Sequence, residues 1–62
     1  MTQTELNKAL ILAAKNGNSD GIHKAIEAGA EVDHPANIYG MTALIIAAID
    51  GHAEAVSTLL FH

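Results

Sequence analysis

The chain has 62 residues, an apolar fraction of 50% and no cysteine, so it holds at most one domain and forms neither disulfides nor thiolate metal sites. Its formal net charge of −4, with three lysines and no arginine, argues against binding to nucleic acid or to an anionic membrane surface. The longest apolar run, 43–49, is far shorter than the ~20 residues of a membrane-spanning helix, and residues 1–5 lack the basic start of a signal peptide.

Two helices are predicted in the first half of the chain. Thr2 and Glu5 form a capping-box pattern, and apolar residues at spacings of three and four continue a first helix to about Lys15. The stretch 16–18, Asn-Gly-Asn, has the composition of a turn, because Gly and Asn tolerate a positive φ. A second helix follows this turn and ends before Gly29, which suits the left-handed position after a helix.

The second half repeats this organisation after a connection. Residues 30–39 are predicted to form a hairpin-like loop without a stable sheet, since Pro35 disfavours helix at the residue before it. Thr42 is placed to cap a third helix over 43–49. A second turn, Asp-Gly-His at 50–52, precedes a fourth helix that runs to the end of the chain. The sequence therefore predicts an all-α fold of four helices.

A shift of 34 residues aligns the two halves without gaps. Leu10, Ala13, Ala14 and Gly17 meet Leu44, Ala47, Ala48 and Gly51, and Ile22 and Ile26 meet Val56 and Leu60. The matches fall on apolar and turn positions, which similarity of composition alone would not produce. The alignment therefore indicates a structural repeat, in which two helical hairpins stack side by side and each covers one face of the other.

This pattern resembles the ankyrin repeat over nearly the whole chain. The family pattern runs from a loop Gly through Thr-Pro-Leu-His, Leu-Ala-Ala and Gly-His to Glu-Ile-Val. The second copy matches it with Gly40, Thr42, Leu44, Ile46-Ala47-Ala48, Gly51-His52, Glu54 and Val56. The first copy carries Gly29-Ala30-Glu31-Val32-Asp33, close to the family's Gly-Ala-Asp-Val-Asn. The resemblance implies two stacked helix-turn-helix repeats, at about 4–36 and 37–62, with the second cut within its outer helix.

Two departures from the family pattern concern the loops. Ile11 and Ile45 stand where the family has a His that ties neighbouring loops by hydrogen bonds. The connection between Gly29 and Gly40 is also one residue longer than the common form. The resemblance therefore does not predict those ties for this chain.

Catalytic, cofactor and metal sites are not predicted. The four histidines, His23, His34, His52 and His62, show no zinc-ligand spacing. His52 instead matches a turn position of the repeat. The Ser and Thr residues have no evident His–acid partners, and no glycine-rich phosphate loop is present. We therefore expect no enzyme activity, no cofactor and no bound metal, and the absence of cysteine and of targeting patterns favours the cytoplasm.

The resemblance implies that the chain is a protein–protein interaction module. Contact residues of the family come from loop tips and inner-helix ends, which here are Asn37, Ile38, Tyr39, Met41, Ile49 and Asp50, with Asn7, Lys15 and Asn16 in the first copy. Tyr39 is the favoured contact residue, because tyrosine is a common anchor at interfaces. For Ile38 and Met41, packing between neighbouring loops and contact with a partner are equally good interpretations. The sequence does not identify the partner.

Self-association is expected as well. Two repeats are fewer than the three or so that such arrays need, and the third helix is apolar nearly all round. We therefore expect a homodimer or higher oligomer in which the second repeats face each other. The expected interface residues are Ile45, Ile49, Val56, Leu59 and Phe61. The alternatives are that the chain is a fragment of a longer array, or that it is a regulatory ankyrin appendage of a larger enzyme.

Overall fold

The computed structural model describes all residues, 1–62, as four α-helices without a β-strand. The helices are α1 (Gln3–Asn16), α2 (Ser19–Glu27), α3 (Ala43–Ile49) and α4 (Ala53–Phe61). Short turns join α1 to α2 and α3 to α4, while α1 packs against α3 and α2 packs against α4. The predicted all-α fold of two stacked helical pairs is confirmed. None of the four helices is long and apolar enough to cross a membrane.

Side chains cap the start of three helices. The predicted capping box is present at α1, where the N–H of Glu5 donates to Thr2 Oγ1 over 3.2 Å and the N–H of Thr2 donates to Glu5 Oε1 over 2.9 Å. At α2, Asn18 Oδ1 accepts from the N–H of Gly21 over 3.0 Å. At α3, Thr42 Oγ1 accepts a first-turn N–H over 3.5 Å. Each cap satisfies a donor that the helix start leaves unpaired.

The core consists mainly of small side chains. Its buried apolar residues are Leu10, Ala13, Ala14, Ile22, Ala25, Ala43, Ala47, Ala55 and Leu59. Only Leu10 and Ile22 are both large and fully enclosed. An alanine side chain is short and has little apolar surface. The helices must therefore approach closely for these side chains to contact one another and be buried. A chain of this size buries only about 60% of its unfolded surface, so each contact between the pairs weighs heavily in its stability.

The junction between the two repeats is tight at the turn after α1. Gly17 has a φ of +69°, and the ring of His52 lies so near that a Cβ on Gly17 would be 2.6 Å from His52 Nδ1. The other ring nitrogen, His52 Nε2, lies 3.0 Å from the carbonyl oxygen of Lys15. The imidazole of the second repeat thus contacts the carboxyl end of α1. His52 therefore has a structural role, as its turn position predicts.

Removing the cap of α3 tests why that helix begins where it does. We expect Thr42→Ala to lower the free energy of unfolding by about 1 kcal/mol, because a first-turn N–H loses its acceptor. Urea denaturation followed by circular dichroism measures this change.

Thr58→Ala is the matched control for this prediction. The Thr58 hydroxyl donates to the carbonyl of Glu54 over 3.0 Å, a bond that the interior of α4 does not need. Its removal is expected to change stability by less than about 0.5 kcal/mol. Equal stability of Thr42→Ala and the unchanged chain would contradict the cap.

The tight junction predicts different effects of alanine at two equivalent glycines. Gly17 and Gly51 have φ values of +69° and +74°, so alanine strains both backbones by a similar amount, about 1–2 kcal/mol. A Cβ at Gly17 collides with His52, whereas one at Gly51 meets nothing within 4 Å. We expect Gly17→Ala to lose more stability in thermal unfolding than Gly51→Ala. Equal losses would mean that the His52 ring exerts no constraint on this turn.

Candidate functional site

Two adjoining grooves lie between the inter-repeat loop and the helices α1 and α3. The first, here called the basic groove, has a volume of about 300 Å³ and is lined by Thr4, Asn7, Lys8, Ile11, Leu12, Lys15, His34, Pro35 and Ala36. The second, the central groove, has a volume of about 390 Å³ and is lined by Ile11, Lys15, Ala36, Asn37, Met41, Ile46, Ile49 and Asp50. The two grooves share three lining residues, so they form one continuous concave surface.

Asn37 holds the tip of the loop. Its Oδ1 accepts from the N–H of Tyr39 over 3.0 Å and from the N–H of Met41 over 3.3 Å. Its carbonyl accepts from the N–H of Gly40 over 3.1 Å, and the N–H of Ala36 donates to the Met41 carbonyl over 2.6 Å. The loop is therefore a closed turn without a sheet, as predicted.

The predicted contact residues divide between the tip and the central groove. Ile38 and Tyr39 project into solvent with 93% and 81% of their surfaces exposed. Ile38 therefore does not pack against another loop of this chain. Met41 is half-buried, lines the central groove and places its Sδ 3.3 Å from Asn37 Nδ2. The remaining predicted residues, Asn37, Ile49 and Asp50, also line the central groove.

Asn7, a predicted contact residue, is almost wholly buried and makes structural hydrogen bonds. Only 4% of its surface is exposed. Its Oδ1 accepts from the N–H of Glu31 over 2.8 Å and from Gln3 Nε2 over 2.9 Å, and its Nδ2 donates to Glu31 Oε1 over 3.4 Å. These bonds fix the start of the loop against α1. The spacing of residues along α1 does not predict the bonds to Glu31, because Glu31 lies 24 residues further along the chain.

The basic groove carries an uneven charge. Lys8, Lys15 and His34 line it, and none of its lining residues is acidic. Glu5 lies one turn before Lys8, but its carboxylate is held in the capping box. The hydrogen bonds from the backbone and hydroxyl of Thr2 lower the pKa of the Glu5 carboxyl. In the central groove, Asp50 shares the lining with Lys15 and the charges are mixed.

The outer side of the second repeat is apolar and open. A shallow depression of about 460 Å³ on this side is lined by Ala48, Gly51, His52, Ala53, Val56 and Ser57. The end face is defined as Ala48 and Val56 together with the exposed Ile45 and Leu60, which share their helix faces at spacings of three and four residues. Ala14 and Ile22, the first-repeat equivalents of Ala48 and Val56, are fully buried. Ala48 is exposed and Val56 half-buried. Positions that the first repeat buries therefore remain open in the second.

The residues predicted for self-association do not form one patch. Ile45 and Val56 lie on the end face, Ile49 lines the central groove, and Phe61 is 87% exposed near the end of α4. Leu59 is only 8% exposed, because it packs into the core of its own chain, so it does not belong to the open face as expected for an interface residue. The next residue of α4, Leu60, is 68% exposed and faces solvent.

The histidines are distributed over several parts of the fold. His23 Nδ1 lies 2.8 Å from His62 Nε2, and His23 Nε2 lies 3.0 Å from Glu27 Oε1, so this ring connects α2 to the end of α4. His34 lines the basic groove, and His52 lies at the junction between repeats. No three His, Asp or Glu side chains are arranged to hold a metal ion.

Two stacked helix-turn-helix pairs with a projecting loop define a helical repeat protein. The family model described as Ankyrin repeats (3 copies) matches residues 2–62. The chain therefore belongs to the ankyrin repeat family, as the resemblance implied. No curated protein and no solved structure gives a significant match. Ankyrin repeats are generally protein–protein interaction modules and are typically not catalytic.

Proposed function

We propose that this chain binds a protein partner through the loop tip and the central groove. The observation that carries this proposal is the exposure of Ile38 and Tyr39 on a backbone that Asn37 fixes by hydrogen bonds. Side chains on a rigid turn lose little conformational freedom on binding, so more of their contact energy becomes affinity. Tyrosine adds a large apolar ring and a hydroxyl that finds a hydrogen-bond partner when buried.

We also propose that the end face packs against the same face of a second copy. Support comes from the repeat itself, because Ala14 and Ile22 are fully buried while their equivalents Ala48 and Val56 are not. Burying a large apolar side chain contributes about 1.5–3 kcal/mol, which favours a cover over Leu60 and Ile45. A two-fold contact brings one patch onto itself and gives a closed homodimer.

The end face would be covered by another part of the same polypeptide if this chain is a segment of a larger protein. In a longer array, the next repeat would cover it, and in a regulatory appendage of an enzyme, a catalytic domain would do so. Both alternatives place the cover within one polypeptide. Only the self-association proposal requires the 62-residue chain to pair with itself, so the oligomeric state of this chain discriminates between them.

Light scattering at micromolar concentration tests the proposed dimer. We expect a dimer for the unchanged chain and a monomer for Leu60→Glu, because the substitution puts a charge on an apolar interface in each of the two copies. Leu12→Glu is the matched control, since Leu12 is also an exposed leucine, at 59%, but lies in the basic groove. It should remain dimeric.

Two results would contradict the proposed dimer. A folded monomer of the unchanged chain would overturn self-association altogether. Continued dimer formation by Leu60→Glu would place the interface elsewhere on the molecule.

Tyr39→Ala tests the loop tip as a contact surface. The side chain is 81% exposed, so its removal should leave the circular dichroism of the helices unchanged. We expect it to weaken a partner isolated with the unchanged chain by about five- to thirtyfold, the loss typical of a contact worth 1–2 kcal/mol. Phe61→Ala, which truncates another exposed aromatic, is the control and should bind as before. If calorimetry shows that Tyr39→Ala binds the partner with unchanged affinity, the loop tip is not part of the contact surface.

A further inference from the structure

The charge of the basic groove is opposite to that of the protein as a whole. The chain has seven acidic residues and three lysines, yet two of those lysines and His34 line this one groove without an acidic neighbour in the lining. Neither Lys8 nor Lys15 is in a salt bridge, because the structure contains one such contact, between His23 and Glu27. The two ammonium groups therefore form no ion pair within the chain, although, beside the hydrogen bonds from Thr2, the charge of Lys8 contributes to lowering the pKa of the Glu5 carboxyl.

The two lysines bracket an apolar surface. Lys8 and Lys15 are seven residues apart on α1, which is about 10.5 Å along the helix axis. Between them lie Ile11, which is half-buried, and Leu12, which is 59% exposed. Pro35 and its neighbours in the inter-repeat loop line the opposite side. A ligand that satisfies this groove needs two negative charges about 10 Å apart and an apolar group between them.

We propose that the basic groove binds an extended acidic segment of a protein partner, with carboxylates three residues apart and an apolar side chain between them. In the extended polyproline II conformation, which has three residues per turn and advances about 3.1 Å per residue, carboxylates at positions i and i+3 project from the same side about 9 Å apart and match the lysine spacing. The apolar side chain then lies on Leu12. Each carboxylate accepts a charge-assisted hydrogen bond from a lysine. This inference rests on the proposed protein-binding function and specifies the chemistry of the partner.

The spacing also gives the groove selectivity. A segment with adjacent carboxylates can reach only one lysine, because the second charge stays several ångströms short of the other. A segment with basic residues meets like charge at both positions and is repelled. The central groove offers no such discrimination, since Asp50 lies in it together with Lys15.

An NMR titration of the isotope-labelled chain tests the proposal directly. The probe is the capped peptide Gly-Glu-Leu-Ser-Glu-Gly, and the control peptide has both Glu replaced by Gln. We expect amide shifts over residues 8–15 and 34–36 with the acidic peptide, weaker binding of the control peptide, and loss of affinity with added salt.

Charge-neutral variants identify the residues that bind the peptide. Lys8→Gln and Lys15→Gln are each expected to raise the Kd by about 1.4- to 5-fold, the effect of an exposed ion pair, and the double variant by the product of the two. Lys24→Gln is the matched control, because Lys24 is the third lysine, lies on α2 and does not line the groove. It should leave the Kd unchanged.

The possible failures are distinguishable from one another. Equal binding of the Glu and Gln peptides, or of the Lys8/Lys15 double variant and the unchanged chain, would overturn the acidic specificity of this groove. Shifts confined to the loop tip or central groove, or no shifts at all, would overturn the site. The proposed function is tested separately by Tyr39→Ala and by the oligomeric state, neither of which depends on Lys8 or Lys15.

Discussion

The contact between the two helical pairs is the constraint on which the rest of this structure depends. Its core residues are mostly alanines, and only Leu10 and Ile22 are large and fully enclosed. Small side chains bury apolar surface only when helices approach closely, so the pairs must be matched in shape as well as in hydrophobicity. A helical pair also has two sides to cover. Stacking two pairs covers one side of each, which leaves the end face of the second repeat open.

The surfaces proposed to function in binding follow from this stacking. Because α1 and α3 lie side by side, the loop that joins the repeats has to pass along their ends and forms a wall for both grooves. Asn7 fixes the start of that loop through Glu31, and Asn37 fixes its tip. The residues proposed to contact a partner are thus presented by a backbone that hydrogen bonds hold in place. The open end face and the concave surface are separate, so one protein can use the first for assembly and the second for recognition.

Local chemistry made much of the fold predictable from the sequence. The bounds of α3 and its cap at Thr42 follow from short-range patterns, and so does the positive φ of Gly17. The ankyrin pattern supplied the stacking of the pairs. The missed features depend on contacts distant in the chain. Burial of Asn7 requires the loop amide of Glu31, and the choice between Leu59 and Leu60 as the buried residue of α4 requires the position of α2.

The candidate site was predictable to a smaller extent for the same reason. The loop tip could be found because contact residues of the family occupy it. The basic groove could not, since His34 and Pro35 reach Lys8 only through the path of the loop. Periodicity places Lys8 and Lys15 on one face of α1, but it does not show that this face has an opposite wall or that the wall lacks acidic residues.

The concentration dependence of thermal unfolding tests the central claim most directly, which is that the open face of the second repeat is a stacking surface. If two copies cover each other there, folding is coupled to association. The midpoint of unfolding, followed by circular dichroism, must then rise with protein concentration. We expect a clear rise over about a hundredfold range of concentration, and a smaller one for Leu60→Glu. A midpoint that stays constant over that range, with the helices folded throughout, would contradict the account.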